Sequence, residues 1–203
     1  VRVNLAVFSG DFTNIQRSSI VLINNIPAGS VSNAASAKMS GVELEGTAIL
    51  GGGFQLDATY SYLHSEYERF IRVNTSGFSD FSGESFSTVP RVTYSVGLSY
   101  ENSLADLGDV NARLDWSWQD DVYFDTDASP LLHRPSLGLL NGRLGFSPRF
   151  SNDAVESLTV SLWGRNLTDE KYNTAGISIG GGNFVVWRYQ EPRTFGVELK
   201  AAF

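Results

Sequence analysis

The chain has 203 residues, 42% of them hydrophobic, a net charge of −7 and no cysteine. These values exclude a disulfide framework, a thiolate zinc site and a cysteine nucleophile, and an acidic balance without a basic run argues against nucleic acid as a partner. With a mean hydropathy of −0.10 and no apolar run near the ~18–20 residues of a membrane helix, a helical membrane protein is excluded, whereas a membrane β-barrel is not.

Period two governs the chain from its start, the mark of strands with two chemically different faces. Val3, Leu5 and Val7 alternate with Asn4 and Ala6, and Val42, Leu44, Gly46 and Ala48 with Glu43, Glu45 and Thr47. Phe54, Leu56, Ala58, Tyr60 and Tyr62 follow the same rule, then Val92 to Glu101 and Val110 to Gln119. Leu140 to Ser147, Leu158 to Leu162, and the closing Phe195, Val197, Leu199, Ala201 and Phe203 complete eight predicted strands, and no stretch carries a helical period. Connections alternate between short (Leu50–Gly53, Asn102–Gly108, Pro148–Glu156) and long (Ser18–Met39, Glu66–Val89, Asp121–Pro135, Thr168–Pro192). In an up-and-down antiparallel sheet this places all short turns at one end and all long loops at the other, as in outer-membrane barrels.

The same alternation would suit a soluble, lipocalin-like binder with its apolar face inward. Three features favour lipid outside. Tyr60, Tyr62, Tyr100, Trp116 and Trp118 cluster near strand ends, as interfacial girdles do. Polar faces mix both signs of charge, as with Arg113 and Asp115, or Glu198 and Lys200. The runs approach the ~9–11 residues that a tilted strand needs to cross a bilayer. The chain starts at Val1 with neither initiator Met nor signal segment, so it is expected to be either cytoplasmic or the latter part of something longer.

The segment "LTVSLWGRNLTDEKY" (Leu158–Tyr172), a Gly-rich loop and then "EPRTFGVELKAAF" (Glu191–Phe203) together resemble the C-terminal end of TonB-dependent outer-membrane receptors. The matching residues are Asn166, Leu167, Asp169, Tyr172, Pro192, Arg193, Phe195 and Phe203. Ser40–Glu68 is similar to a "GVELE…sYsYldaeY" hairpin of that family, and "VPRVTYSVGLSYE" to the strand after it. The resemblance implies that residues 1–203 are the C-terminal part of a 22-stranded barrel, without its N-terminal plug domain. It further implies TonB-dependent uptake of a scarce solute, most often a ferric siderophore, across the bacterial outer membrane, with no enzymatic activity and no cofactor. The implied partners are outer-membrane lipid and lipopolysaccharide, the TonB energy-transducing complex acting through the plug, the barrel assembly machinery acting on the strand that ends in Phe203, and the iron chelate itself. A complete eight-stranded barrel serving adhesion or membrane integrity is the alternative.

Candidate ligand contacts lie in the long loops. Arg72, Tyr123, His133, Arg134, Trp187, Arg188 and Tyr189 combine cationic and aromatic groups suited to an anionic or aromatic solute, although interfacial anchoring and contacts to lipopolysaccharide phosphates use the same residue types. Asp120, Asp121, Asp125 and Asp127 raise the question of a hard cation. They lack the spacing of an EF-hand. No nucleophile–base pair is visible, and His64 is the sole histidine near a strand rim where a barrel hydrolase would need one.

Overall fold

The structure, a computed structural model, describes residues 1–23, 26–74, 77–149, 156–179 and 184–202, without side chains at 17–23, 27–30, 32–35, 72–74, 77–78 and 179. In chain order the strands are β1 (Arg2–Ile23), β2 (Ile26–Gly51), β3 (Phe54–Arg69), β4 (Ile71–Asn74), β5 (Gly77–Asp80), β6 (Val92–Ser103), β7 (Gly108–Gln119), β8 (Val122–Tyr123), β9 (His133–Arg134), β10 (Leu137–Pro148), β11 (Ser157–Arg165), β12 (Asn173–Ile179), β13 (Phe184–Tyr189) and β14 (Thr194–Ala202). Eight of them form one sheet in the order β1-β2-β3-β6-β7-β10-β11-β14, and every pairing is antiparallel. The remaining six form three small hairpins inside the long connections.

Each predicted strand lies in that sheet, in the predicted sequence. The ladders then show why it holds together: partners across every strand pair belong to the same chemical face. Leu5 opposes Leu44, Leu44 opposes Tyr60, and Tyr60 opposes Tyr94. Farther along, Leu98 opposes Leu114, Leu144 opposes Leu162, and Leu162 opposes Val197. Among the described residues no element covers this apolar surface, and Leu114 is 48% exposed and Val197 70%. Aromatics band it at two heights, with Phe54 against Tyr100 at 4.6 Å near the short-turn end and Tyr94 stacked on Trp118 at 5.2 Å near the long-loop end.

The opposite face is a web of polar contacts. Arg113 on β7 donates to Asp115 (2.9 Å) and reaches over β6 to Ser99 (2.7 Å) and to Asp57 on β3 (3.2 Å). Gly97 makes this crossing possible, because a Cβ there would stand 2.5 Å from Nη2 of Arg113 and 2.8 Å from Oδ1 of Asp115. Arg143 on β10 likewise spans β11, donating to Ser161 (3.0 Å) and to Glu198 on β14 (2.7 Å). At the short-turn end, Arg149 ties two turns together through the Ala105 carbonyl (2.6 Å) and Asp109 (3.1 Å).

Two expectations need correction. Ser18–Met39 is not a loop: β1 and β2 run 22 and 26 residues and stay paired from Arg2–Thr47 to Ile23–Ile26. Their outer halves lack a strict apolar alternation, and ladder hydrogen bonds to the partner strand hold them instead. Nor is the polar face hydrophilic throughout. Beyond Ser61 it carries Ser65 and Tyr67, and the connection after β3 folds onto them, burying Ala37, Tyr67, Phe70 and Phe81 with Ile15 and Phe86 packed alongside. Backbone bonds secure this fold-back, from Tyr67 N–H to the Glu84 carbonyl (3.0 Å) and from Gly83 N–H to that of Tyr67 (2.7 Å).

Candidate functional site

Three long connections converge at one end of the sheet. The segment between β7 and β10 is built by local polar chemistry. Asp125 accepts from Ser129 N–H (3.0 Å), and the Ser129 hydroxyl caps a single 3-10 turn, Pro130–Leu132, by accepting from Leu131 N–H (3.4 Å). Phe124 N–H then bonds the Leu132 carbonyl (2.9 Å), which brings Tyr123 opposite His133 and Val122 opposite Arg134. Thr88 N–H donates to the Tyr123 carbonyl (2.8 Å), joining this segment to the one folded on Tyr67.

The hairpin of β12 and β13 closes the other side. Trp187 lies flat over Gly176, where any side chain would collide with its indole, and meets Phe124 edge-on at 5.7 Å. Leu132, 2% exposed, sits beneath. The Arg134 guanidinium lies 5.9 Å from the Phe124 ring centroid, and the residue as a whole is 8% exposed. Burial lowers its pKa from the ordinary arginine value, with the nearby Tyr172 phenol acting in the opposite sense, and burial raises the Tyr172 pKa.

Of the candidate ligand residues, Arg134 and Trp187 thus meet on the Phe124 ring, whereas Tyr123 and His133 form a second pair on the adjoining β8–β9 ladder. Tyr123 and His133 pack at 4.8 Å, and His133 Nε2 lies 2.8 Å from Asp121. Arg188 and Tyr189 belong to the same hairpin but look elsewhere: Arg188 donates to Thr174 (3.0 Å), and Tyr189 is 65% exposed. The Arg72 side chain lies outside the described residues. Phe124 and Leu132, which complete the cluster, carry no periodic signal, and only the density of aromatics in the loops hinted at them. Among the described residues no group of three or more His, Asp or Glu is placed to hold a metal ion. Asp121 and Asp125 are engaged in the loop's own hydrogen bonds. His64 pairs with Glu66 at 3.4 Å.

The motif residues do something different: they clasp the sheet. Asn166 takes a left-handed conformation (φ 51°), and so does Asp169 (φ 60°), a region that Asn and Asp tolerate better than most residues. The Asn166 amide accepts from Glu170 N–H (2.9 Å) and donates to the Glu170 carbonyl (2.8 Å), closing a tight loop after β11. Leu167 N–H reaches back to the Leu140 carbonyl (2.7 Å), and its side chain fills the space left by Gly142 and Gly164 on the apolar face. Arg193 Nη2, at the entry to β14, lies 3.7 Å from Asp169, and its Nη1 donates to the Leu167 carbonyl (3.4 Å). Phe203 lies outside the described residues.

Comparison with known proteins agrees with these features. A family model described as TonB dependent receptor-like, beta-barrel matches residues 1–167. The chain is 28% identical to the pesticin receptor of Yersinia pestis over 175 residues, which is 85% of this chain and 23% of that protein. The crystal structure of the ferric yersiniabactin uptake receptor FyuA from Yersinia pestis superposes with a TM-score of 0.76 at 23% identity, over 99% of this chain and 27% of that one. The siderophore receptor PiuA from Acinetobacter baumannii gives a TM-score of 0.70 at 17% identity, over 97% and 25% respectively. The chain thus spans about a quarter of the length of the proteins it matches. Its bare apolar face, polar inner web and strand order are those of an integral outer-membrane barrel, and the chain belongs to the TonB-dependent receptor β-barrel family.

Proposed function

We propose that this chain is the C-terminal part of the barrel of a receptor that imports a ferric siderophore or another iron chelate, with a plug domain encoded upstream. In this reading the polar web lines the wall around the plug. The lobe of long connections takes part in capturing the solute, through Tyr123, His133, Arg134 and Trp187 together with the exposed Arg188 and Tyr189 and with Arg72. TonB acts through the plug to release the solute, the assembly machinery recognises the strand ending in Phe203, and lipopolysaccharide borders the loops. The protein performs no chemistry on its cargo.

The observation that carries this reading is the convergence of cationic and aromatic groups from separate connections at the long-loop end of a family barrel. A complete eight-stranded barrel would need β1 to pair with β14, and among the described residues each has one sheet neighbour. A soluble lipocalin-like binder would need its apolar face covered. The test is accumulation of ferric siderophores labelled with radioactive iron by cells expressing the complete gene, compared with a strain lacking energy coupling. Uptake is expected in the first strain only, and equal uptake in both would end the proposal.

A further inference from the structure

Four arginines of this chain lie beside carboxylates. Arg113 is matched by Asp57 and Asp115, Arg143 by Glu198, Arg149 by Asp109, and Arg193 lies beside Asp169. All four of these guanidinium groups are about half exposed. Arg134 reverses both properties. It is 8% exposed, and its Nε is the one buried side-chain nitrogen or oxygen among the described residues with no hydrogen-bond partner. Its neighbours are an aromatic ring and a phenol, Phe124 and Tyr172.

A buried guanidinium stays charged, and leaving it without an anion is costly, because its lost hydration is not replaced. Contact with the Phe124 face offsets part of that cost. It leaves Nε, one arm of the planar donor fork that matches the geometry of carboxylate and phosphate, without an acceptor. The surrounding pocket is otherwise well packed, with Trp187 against Gly176 and Leu132. The unmet donor is therefore a local feature of a firm site, not a sign of loose loops.

We propose that Arg134 is the anion-binding element of the outer lobe, and that the imported solute presents a carboxylate or phosphate oxyanion to its guanidinium between Phe124 and Tyr172. This rests on the receptor reading above and narrows it to an anionic solute. The same oxyanion chemistry occurs on lipopolysaccharide headgroups, so the test must separate the two sources.

The experiment is thermal unfolding of the complete gene product, purified in detergent, with citrate, with inorganic phosphate, or with diphosphoryl lipid A in the micelle. Each is compared between the natural protein and Arg134→Met. The methionine fills similar space without a charge, so the variant is expected to melt no lower than the natural protein when no anion is present. At least one soluble anion is expected to raise the melting temperature of the natural protein, and Arg134→Met is expected to weaken that anion's apparent affinity by about tenfold or more. A lower melting temperature for Arg134→Met without anion would make the arginine a structural residue and overturn the proposal. So would an anion effect that survives the substitution, or no effect of either soluble anion. Stabilisation by lipid A alone would assign the site to the lipid headgroup and equally overturn it. No step of this measurement involves transport, so failure here is separable from failure of the uptake test.

Discussion

The wall and the lobe of this protein obey opposite burial rules. In the wall, Leu98, Leu114, Leu162 and Val197 are bare while Arg113 and Arg143 are tied into contacts on the other face. In the lobe, Tyr67, Phe70 and Leu132 are buried, and polar side chains such as Asp121 and Arg188 lie outside. One chain can follow both rules only if it meets two solvents. The change of rule is visible along the inner face of β3 itself, which runs from exposed Thr59 to buried Ser65 and Tyr67 where the following connection folds onto it.

This contrast can be broken at several points. The largest effect is expected inside the lobe: Phe70→Ala empties a site that is 3% exposed and should cost about 3–5 kcal/mol of local stability. Limited proteolysis would read it as new cleavage between β3 and β6, with the sheet still protected. Truncating bare Leu114 to alanine should do little, since lipid fills the space, but Leu114→Arg should cost about 2–4 kcal/mol near the bilayer midplane. Denaturant unfolding in lipid vesicles checks this, and a charge tolerated there would mean that the face does not meet hydrocarbon.

The clasp between the two regions gives a smaller expected change. Asn166→Ala removes two hydrogen bonds to Glu170 and places alanine in a left-handed conformation, which should cost about 1–2 kcal/mol. Asn166→Gly should recover the conformational part alone, and comparing the two unfolding midpoints separates the contributions. The smallest effect is a pH response of the lobe. The hydrogen bond from His133 holds the Asp121 pKa below the usual carboxylate range. The link is therefore at full strength above the unfolded carboxylate value of about 3.9 and is lost as the pH falls through the lowered folded value. Amide hydrogen exchange between Asp121 and Arg134 should quicken on acidification over that window, and His133→Ala should abolish the dependence.

The wall was legible in the sequence because burial on a sheet imposes period two, and a lipid-facing sheet keeps that period over long runs. Val92 to Glu101 and Val110 to Gln119 could be placed to within a residue or two. The lobe was not legible, because its contacts join residues from separate connections with no repeat between them. Nothing near Phe70, Phe81 or Phe86 announces that they bury Tyr67. The outer halves of β1 and β2 read as loop because pairing there does not depend on an amphipathic pattern. For the motif around Asn166, resemblance supplied the family, but only the geometry shows a clasp in place of ligand contacts. That Arg134 lacks a partner is a property of its surroundings, which the residue's name does not carry.

The crossing of Arg113 over Gly97 also bears on how the sheet avoids assembling wrongly. A one-residue slip of β7 against β6 would turn the guanidinium into lipid, so the bilayer itself rejects it. A two-residue slip keeps every apolar side chain facing outward, and hydrophobicity cannot detect it. What it would lose is the notch: Arg113 and Asp115 would no longer lie over the one position of β6 that lacks a Cβ, and Asp57 and Ser99 would be out of reach together. The polar web thus acts as a parity-blind ruler, proofreading the even-numbered errors that the membrane lets pass.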